Sequence, residues 1–174
     1  MSHFKKIYSK YNGIDLFVEL PQFKLTKYGV PQLGHFFTSP NEIRFIKVPI
    51  DPTQPNCNMI KELINKLENK IKGFNASLKN NYQFVPVIKN DGWCPKFKYH
   101  PTNNTFETPV YVVENGIPHL KNISNATDLN AYLTNQPGIR MIVAFRMWVA
   151  GNKTYGMTAK IMQMEITPGT QQIS

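Results

Sequence analysis

The stretch over residues 140–166 constrains the fold most, because apolar and polar residues alternate along it on both sides of one turn sequence. That turn sequence is AGNK at residues 150–153, and its Gly and Asn readily adopt the positive φ angles that tight hairpins require. Alternation with a period of two is typical of β-strands whose two faces differ. The stretch therefore predicts two long antiparallel strands joined by a tight turn.

The first of these strands has two faces of different composition. The apolar face is predicted to be core and holds Met141, Val143, Phe145, Met147 and Val149. The opposite face mixes cations, small residues and a ring, namely Arg140, Ile142, Ala144, Arg146 and Trp148. A solvated face needs no tryptophan, and a buried face disfavours two arginines. Cations interleaved with rings are typical of surfaces that bind single-stranded nucleic acid, with charge on the phosphates and rings against the bases.

The second strand changes the phase of its alternation partway along. The apolar residues of its first half are Met157, Ala159 and Ile161, and those of its second half are Met162, Met164 and Ile166. One extra residue inserted into a strand, a β-bulge, produces such a change. We expect a bulge near residues 161–162, with Lys160 on the polar face before it.

Composition indicates one domain that favours an anionic partner. The chain has 174 residues, 41% of them hydrophobic, which suits a folded domain with a sizeable core. The formal net charge of +9 favours a polyanion such as nucleic acid. We expect an N-terminal extension or extra strands over residues 1–40, a core over 41–167 and a flexible tail over 168–174.

Several classes of protein are not indicated. No apolar run approaches the roughly 20 residues of a membrane span, and no apolar segment follows the basic N-terminus, so we expect a cytoplasmic protein without a membrane partner. Cys57 and Cys94 are expected to be free thiols. The four histidines are scattered, and no phosphate-binding glycine loop or nucleophile motif is present. We therefore expect no enzyme, no cofactor and no metal.

The remaining elements are predicted from periodicity. Apolar residues at three- and four-residue spacing predict an amphipathic helix over about residues 58–72. A short helix around Leu129 is expected to be capped at Thr127 or Asp128. Further strands are expected at residues 14–20, 41–50, 84–88, 93–100 and 108–113. Because residues 41–50 are apolar on both faces, that strand is expected to be central.

Residues 93–100 form a second segment in which basic and aromatic residues alternate. Lys96 and Lys98 share one face, and Phe97 and Tyr99 share the other. Either face suits nucleic acid, and the alternative is that the rings are core while the lysines are solvated. The lysines and tyrosines within residues 5–28 are a candidate contact arm or, alternatively, a solvated edge.

The order of elements resembles a known family. The segments that show this resemblance are KFKYHP at residue 96, TPVYVVENGIP at residue 108, a polar helical segment and AGNKTYGMTAKIMQMEI, with MIKELINKLENKI before them. This layout is similar to single-stranded DNA-binding proteins of large cytoplasmic DNA viruses and cytoplasmic linear DNA elements. The resemblance implies an OB-like β-barrel of five or more antiparallel strands, with one long amphipathic helix and a short helix. It also implies sequence-independent coating of single strands in replication, repair or recombination, and it assigns binding to Lys96, Lys98, Arg146, Trp148 and Lys160.

Charge, rings and resemblance together give one set of candidate nucleic-acid-binding residues. They are Arg44, Lys47, Trp93, Lys96, Lys98, Tyr99, Arg140, Arg146, Trp148, Lys153, Tyr155 and Lys160. Trp148 is the first choice for stacking on a base, with a half-buried rim position as its alternative, and Arg146 is the first choice for a phosphate. The expected partner is single-stranded DNA, with RNA, homo-oligomers and replication proteins left open. A basic β-sandwich that serves as a structural virion component and an enzyme with a composite site are the competing hypotheses.

Overall fold

The computed structural model of the protein describes the backbone of residues 8–11, 13–74 and 76–170, and the side chains of residues 11, 13–74 and 79–170. Lys5 and Lys6 of the candidate contact arm lie outside the described residues, as do residues 171–174 of the predicted tail. No helix of the described part is both long enough and apolar enough to cross a membrane.

The described part of the chain is mainly β. Its strands are β1 Tyr8–Tyr11, β2 Leu16–Glu19, β3 Phe23–Lys24, β4 Val48–Pro49, β5 Gln83–Val85, β6 Gly92–Trp93, β7 Lys96–Phe97, β8 Val110–Glu114, β9 Ile117–Lys121, β10 Gly138–Val149 and β11 Thr154–Thr167. The α-helices are α1 Pro55–Phe74 and α2 Ala76–Asn81, and short 3-10 helices cover Pro40–Glu42 and Ala126–Tyr132. The predicted amphipathic helix is α1, which extends beyond residues 58–72 at both ends.

One large sheet contains the strands in the order β1-β2-β10-β11-β8-β9. Strands β5, β7 and β8 pair with β11 in parallel, and β3 pairs with β10. Among the described residues no ladder joins β9 to β1, so the sheet is open. The prediction of a mainly β fold is confirmed, whereas the closed barrel of antiparallel strands is wrong. Three of the strands that pair with β11 run parallel to it, and periodicity along a single strand carries no information about the orientation of its partner.

The predicted hairpin is present as β10 and β11, and the predicted bulge is confirmed. Ile142 pairs with Gln163 and Val143 pairs with Ile161, so Met162 is the extra residue. The turn also lies where it is predicted, because the Lys153 N–H donates to the Ala150 carbonyl at 3.2 Å. Its positive φ angle, 61°, is at Lys153 and not at the Gly or Asn before it.

The inner face of the hairpin lies in the core. Met141, Val143 and Phe145 are buried as predicted, and Ile161, Met164 and Ile166 of β11 join them. The prediction fails near the turn, where Met147 is half-buried and Val149 is 52% exposed. The hairpin extends beyond the packed core at this end, so apolar alternation continues without burial.

Residues 41–50 do not form the central strand that their two apolar faces predict. They begin in a 3-10 helix and then run beside residues 92–97, with β4 paired to β6 and a single bridge between Phe45 and Lys96. A further bridge joins Lys47 to Gly29. Both faces are apolar because the segment packs on the core with Ile43, Ile46 and Val48.

The helix near Leu129 is a 3-10 helix, and its cap is one turn earlier than predicted. The Asn125 side chain accepts a hydrogen bond from the Asp128 N–H at 3.2 Å, and Asp128 Oδ2 accepts one from the Asn125 N–H at 3.3 Å. This reciprocal arrangement is a capping box. Asp128 therefore belongs to the cap as its third helical residue, and Thr127 is not the capping residue.

Candidate nucleic-acid interface

The face of the sheet opposite the core, here called the outer face, is defined by the strand register. Residues directly opposed on paired strands project to the same side of a sheet. Ala144 opposes Lys160, Lys160 opposes Lys96, and Lys96 opposes Phe45 across a single bridge. Adjacent strands lie about 4.8 Å apart. Four neighbouring segments of the chain therefore present this series of side chains on one side of the sheet.

Lys96 and Lys160 face each other across β7 and β11, and both are exposed. Directly opposed like charges destabilise a sheet. In the part of the chain that the structure describes, neither lysine has a carboxylate within the 4.0 Å of an ion pair. Both ammonium groups are therefore available to an anion from solution.

The cationic surface continues past Phe45 to Lys47. Lys47 lies two residues after Phe45 on the same extended segment, so both side chains project to the outer face. The Phe45 ring is half-buried and packs edge-on against Phe37 with 6.0 Å between centroids. Lys47, Lys96 and Lys160 are called the lysine row below.

An exposed tyrosine lies beside the lysine row. The Tyr28 ring is 52% exposed, and Lys47 Nζ lies 4.7 Å from its centroid. Lys27 Nζ approaches the same ring at 5.1 Å. Tyr28 belongs to the lysine- and tyrosine-rich segment named as a candidate contact arm, but the sequence gives no sign that it meets Lys47.

Arg146, the first choice for a phosphate, has an internal partner. Its Nε and Nη2 atoms donate to the two carboxylate oxygens of Asp15 at 2.7 and 2.8 Å. These hydrogen bonds from Arg146 lower the pKa of Asp15. Desolvation by burial opposes them, and the positive charges of Arg146 and Lys160 lower the pKa further. The Arg146 guanidinium projects to the outer face with its charge already neutralised.

Trp148 lies at the turn end of the outer face and is half-buried. It pairs with Gly156, and a Cβ atom on that glycine would lie 3.0 Å from Cζ2 of the indole. The indole therefore covers Gly156 closely. The sequence leaves two alternatives for Trp148, a ring that stacks on a base and a half-buried residue at the rim. The observed position matches the half-buried rim residue.

Two aromatic candidates are wrong because they are core residues. Trp93 is 1% exposed, and its ring stacks on Phe145 with 6.2 Å between centroids and an interplanar angle of 14°. Tyr155 is 2% exposed and packs edge-on against Phe84 at 5.4 Å. Neither ring can stack on a base while the protein is folded. Trp93 projects to the inner face, and Cys94 projects to the opposite side. Residue type alone does not specify which face the tryptophan takes.

The 93–100 segment places its rings inward. Phe97 is 4% exposed, and Tyr99 is half-buried with its hydroxyl donating to the Ile43 carbonyl at 3.1 Å. Desolvation by burial raises the pKa of Tyr99. The guanidinium of Arg44 covers the Tyr99 ring at 4.6 Å. The alternative in which rings pack and lysines are solvated is the one observed. Arg44 and Tyr99 contact each other, and their binding of nucleic acid stays a prediction.

The other basic candidates lie at the margins of the outer face. Lys98 forms a loose ion pair with Glu107 at 3.9 Å. Arg140 is half-buried and opposes Glu165 in the register of β10 and β11. Lys153 is exposed in the hairpin turn. The structure does not bring these three side chains into the lysine row.

Groups associated with catalysis do not converge in the described residues. No set of three His, Cys, Asp or Glu side chains there has an arrangement that could hold a metal ion. Cys57 is buried and Cys94 is exposed, and both are free thiols, as expected. The one buried acid among the described residues, Glu68, accepts a hydrogen bond from the Val87 N–H at 3.0 Å, and desolvation by burial raises its pKa. Its hydrogen bond joins α1 to the segment after β5.

Comparisons with known proteins give a similarity in structure and none in sequence. No protein-family profile matches the chain, and no curated protein matches it in sequence. Among solved structures, it is similar to gp2.5, a single-stranded DNA-binding protein encoded by bacteriophage T7, with a TM-score of 0.48 and 11% sequence identity. The alignment covers 92% of this chain and 90% of that chain. A TM-score below 0.5 does not establish a shared fold, so any functional conclusion depends on the residues of the outer face.

Proposed function

We propose that the protein binds single-stranded DNA without sequence specificity, through the outer face, and coats exposed strands in replication, repair or recombination. The observation that carries this proposal is the lysine row. Lys96 and Lys160 are opposed and unpaired by carboxylates among the described residues, and Lys47 continues the row beside the exposed ring of Tyr28. A polyanion that bridges these ammonium groups removes their mutual repulsion.

The chemistry of the row favours single strands over duplex DNA. Lysines on neighbouring segments whose backbones lie about 4.8 Å apart suit a flexible phosphate backbone that can follow them. The ring beside them is useful only where bases are unpaired and can be stacked upon. In a duplex the bases stack on each other, and Tyr28 would have no partner.

The same chemistry explains the absence of sequence specificity in the proposal. Lysine is a point charge on a flexible stem, whereas bidentate reading of a base edge requires a planar fork such as the guanidinium. The Arg146 guanidinium is occupied by Asp15, and that of Arg44 covers the Tyr99 ring. The cations left for the ligand therefore contact phosphates.

The proposal is tested by fluorescence anisotropy with labelled oligo(dT), oligo(U) and duplex DNA of equal length. We expect oligo(dT) to bind more tightly than the duplex, with an affinity that falls as salt rises by about 0.7 log units per log unit for each phosphate contact. The ratio between oligo(dT) and oligo(U) measures any preference for DNA over RNA. Equal affinity for single and double strands would instead favour a structural role in packing a genome, and an affinity unchanged by salt would contradict the proposal.

A further inference from the structure

Tyr28 has an unusual backbone conformation for a large residue. Its φ angle is 66°, and Gly29 follows at 131°. A bulky side chain is rarely found in the left-handed region, where Gly or Asn costs less free energy. The turn itself would be satisfied better by a small residue. The presence of tyrosine here calls for a role of the ring.

The backbone around Tyr28 is anchored, so the ring is held at the surface. The Gly29 N–H donates to the Lys47 carbonyl at 3.1 Å, and the Lys47 N–H donates to the Gly29 carbonyl at 3.0 Å. The ring is half exposed, and its hydroxyl makes no hydrogen bond within the part of the chain that the structure describes. The contacts that the ring makes are therefore the cation–π contacts with Lys27 and Lys47 at the surface.

The surroundings of Tyr28 combine positive charge with open space. The ammonium groups of Lys27 and Lys47 lie near the ring centroid, at 5.1 and 4.7 Å. A cleft of about 420 Å³ opens beside the ring, lined in part by Pro49 and Pro52. Two carboxylates also line the cleft, Asp91 and Asp51, and Asp51 accepts hydrogen bonds from the N–H and hydroxyl of Thr53. Both ammonium groups lie over the ring, so a flat group that stacks on Tyr28 would take the place of one of them, and the displaced lysine would then lie beside that group.

We propose that Tyr28 stacks on a nucleobase of the bound single strand while Lys27 and Lys47 contact the neighbouring phosphates. This inference rests on the proposed function and adds a stacking residue at the end of the lysine row. Tyr28 suits the role better than Trp148, because the Tyr28 ring is 52% exposed whereas Trp148 is half-buried over Gly156. The competing explanation is that the ring only separates the two ammonium groups.

The test compares the parent with Y28F, Y28A and Y28G on oligo(dT) and on an abasic oligomer of equal length, which keeps the phosphates and lacks the bases. Loss of one stacked base should weaken oligo(dT) binding by about 5-fold to 150-fold in Y28A and Y28G. Y28F should bind within about twofold of the parent, since it keeps a π-face for stacking. On the abasic oligomer all four proteins should bind alike.

Thermal unfolding of Y28G is the control for folding. Glycine removes the strain of the positive φ angle, so Y28G should unfold at or above the temperature of the parent. Equal losses on both polymers would show that the ring only spaces the lysines, and unchanged binding of Y28A to oligo(dT) would overturn the inference alone. A parent protein that fails to bind oligo(dT) would overturn the proposed function, and this inference with it.

Discussion

The outer face has two regions that look equivalent in composition and differ in structure. At the hairpin end, Arg146 and Trp148 combine a cation with a ring, as do Lys47 and Tyr28 beside the lysine row. At the hairpin end the cation is neutralised by Asp15 and the ring covers Gly156. Beside the lysine row the cations have no carboxylate partners among the described residues, and the ring is half exposed.

This difference shows that a cation without an internal partner is better placed to bind an anion than a cation that already forms an ion pair. A guanidinium in a bidentate pair gives up an internal partner before it can bind a phosphate. Two opposed lysines, in contrast, repel each other until an anion arrives. The hairpin end therefore stabilises the fold, and the lysine row is the surface that we propose for binding.

The largest expected effect is on the free energy of unfolding, and it distinguishes a tryptophan in the core from a tryptophan near the surface. Trp93→Ala should lower the free energy of unfolding by about 3–5 kcal/mol, because it removes a fully buried indole that stacks on Phe145. Trp148→Ala, at a half-buried position, should cost clearly less. Urea denaturation of both variants measures the difference. If Trp93→Ala were as stable as the parent, the assignment of Trp93 to the core would be wrong.

The next effect compares the lysine row with a different basic surface. Replacing Lys47, Lys96 and Lys160 together by Ala should weaken oligo(dT) binding by about 100-fold at moderate salt, since three phosphate contacts are lost. A matched variant removes three exposed lysines from helix α1, namely Lys61, Lys66 and Lys70. It has the same net charge, and its affinity should stay within a fewfold of the parent. Equal losses in the two variants would mean that only net charge matters.

A smaller effect tests the neutralisation of Arg146. Asp15→Asn removes the carboxylate and frees the guanidinium on the outer face, so oligo(dT) affinity should rise by about threefold to fivefold. Arg146→Ala removes a cation from the outer face while the negative charge of Asp15 stays, so it should lower the affinity by a similar factor. The double variant should bind like the parent, because both charges are gone. A loss of affinity in Asp15→Asn would show that the pair itself positions the ligand.

The smallest effect is the pH dependence of the same pair. Hydrogen bonds from Arg146 lower the pKa of Asp15 in the folded protein, so the pair stabilises the fold above the pKa of the unfolded chain. That stabilisation is lost as the pH falls through the lower, folded pKa. The difference in free energy of unfolding between the parent and Asp15→Asn should be constant down to about pH 4 and shrink below it. Urea denaturation across pH checks this, and a difference that grows on acidification would contradict it.

Local patterns in the sequence predicted the hairpin, its bulge and the amphipathic helix correctly. Each of these features depends on side-chain periodicity along one segment, and the switch of apolar parity at Met162 records the bulge directly. The direction in which β7 and β8 pair with β11 depends on contacts between distant segments. For that reason the open, mixed sheet could not be predicted from alternation.

The candidate site was predictable in part for the same reason. Lys47, Lys96 and Lys160 are among the candidates that charge selects, and the structure places all three at the surface, where a lysine is expected. The pairing of Arg146 with Asp15 joins residues that are 131 positions apart, and no local pattern shows it. Trp93 and Tyr155 were chosen by residue type, although a ring suits the core as well as it suits a base.

The salt dependence of oligo(dT) binding tests the central claim most directly. In a plot of log affinity against log salt concentration, the slope counts the phosphates that the protein neutralises. Replacing the three residues of the lysine row by Ala should make the slope of the parent shallower by about 2, whereas the triple variant of helix α1 should keep the parental slope. Identical slopes for the parent and the lysine-row variant would show that single-stranded DNA does not bind across this face.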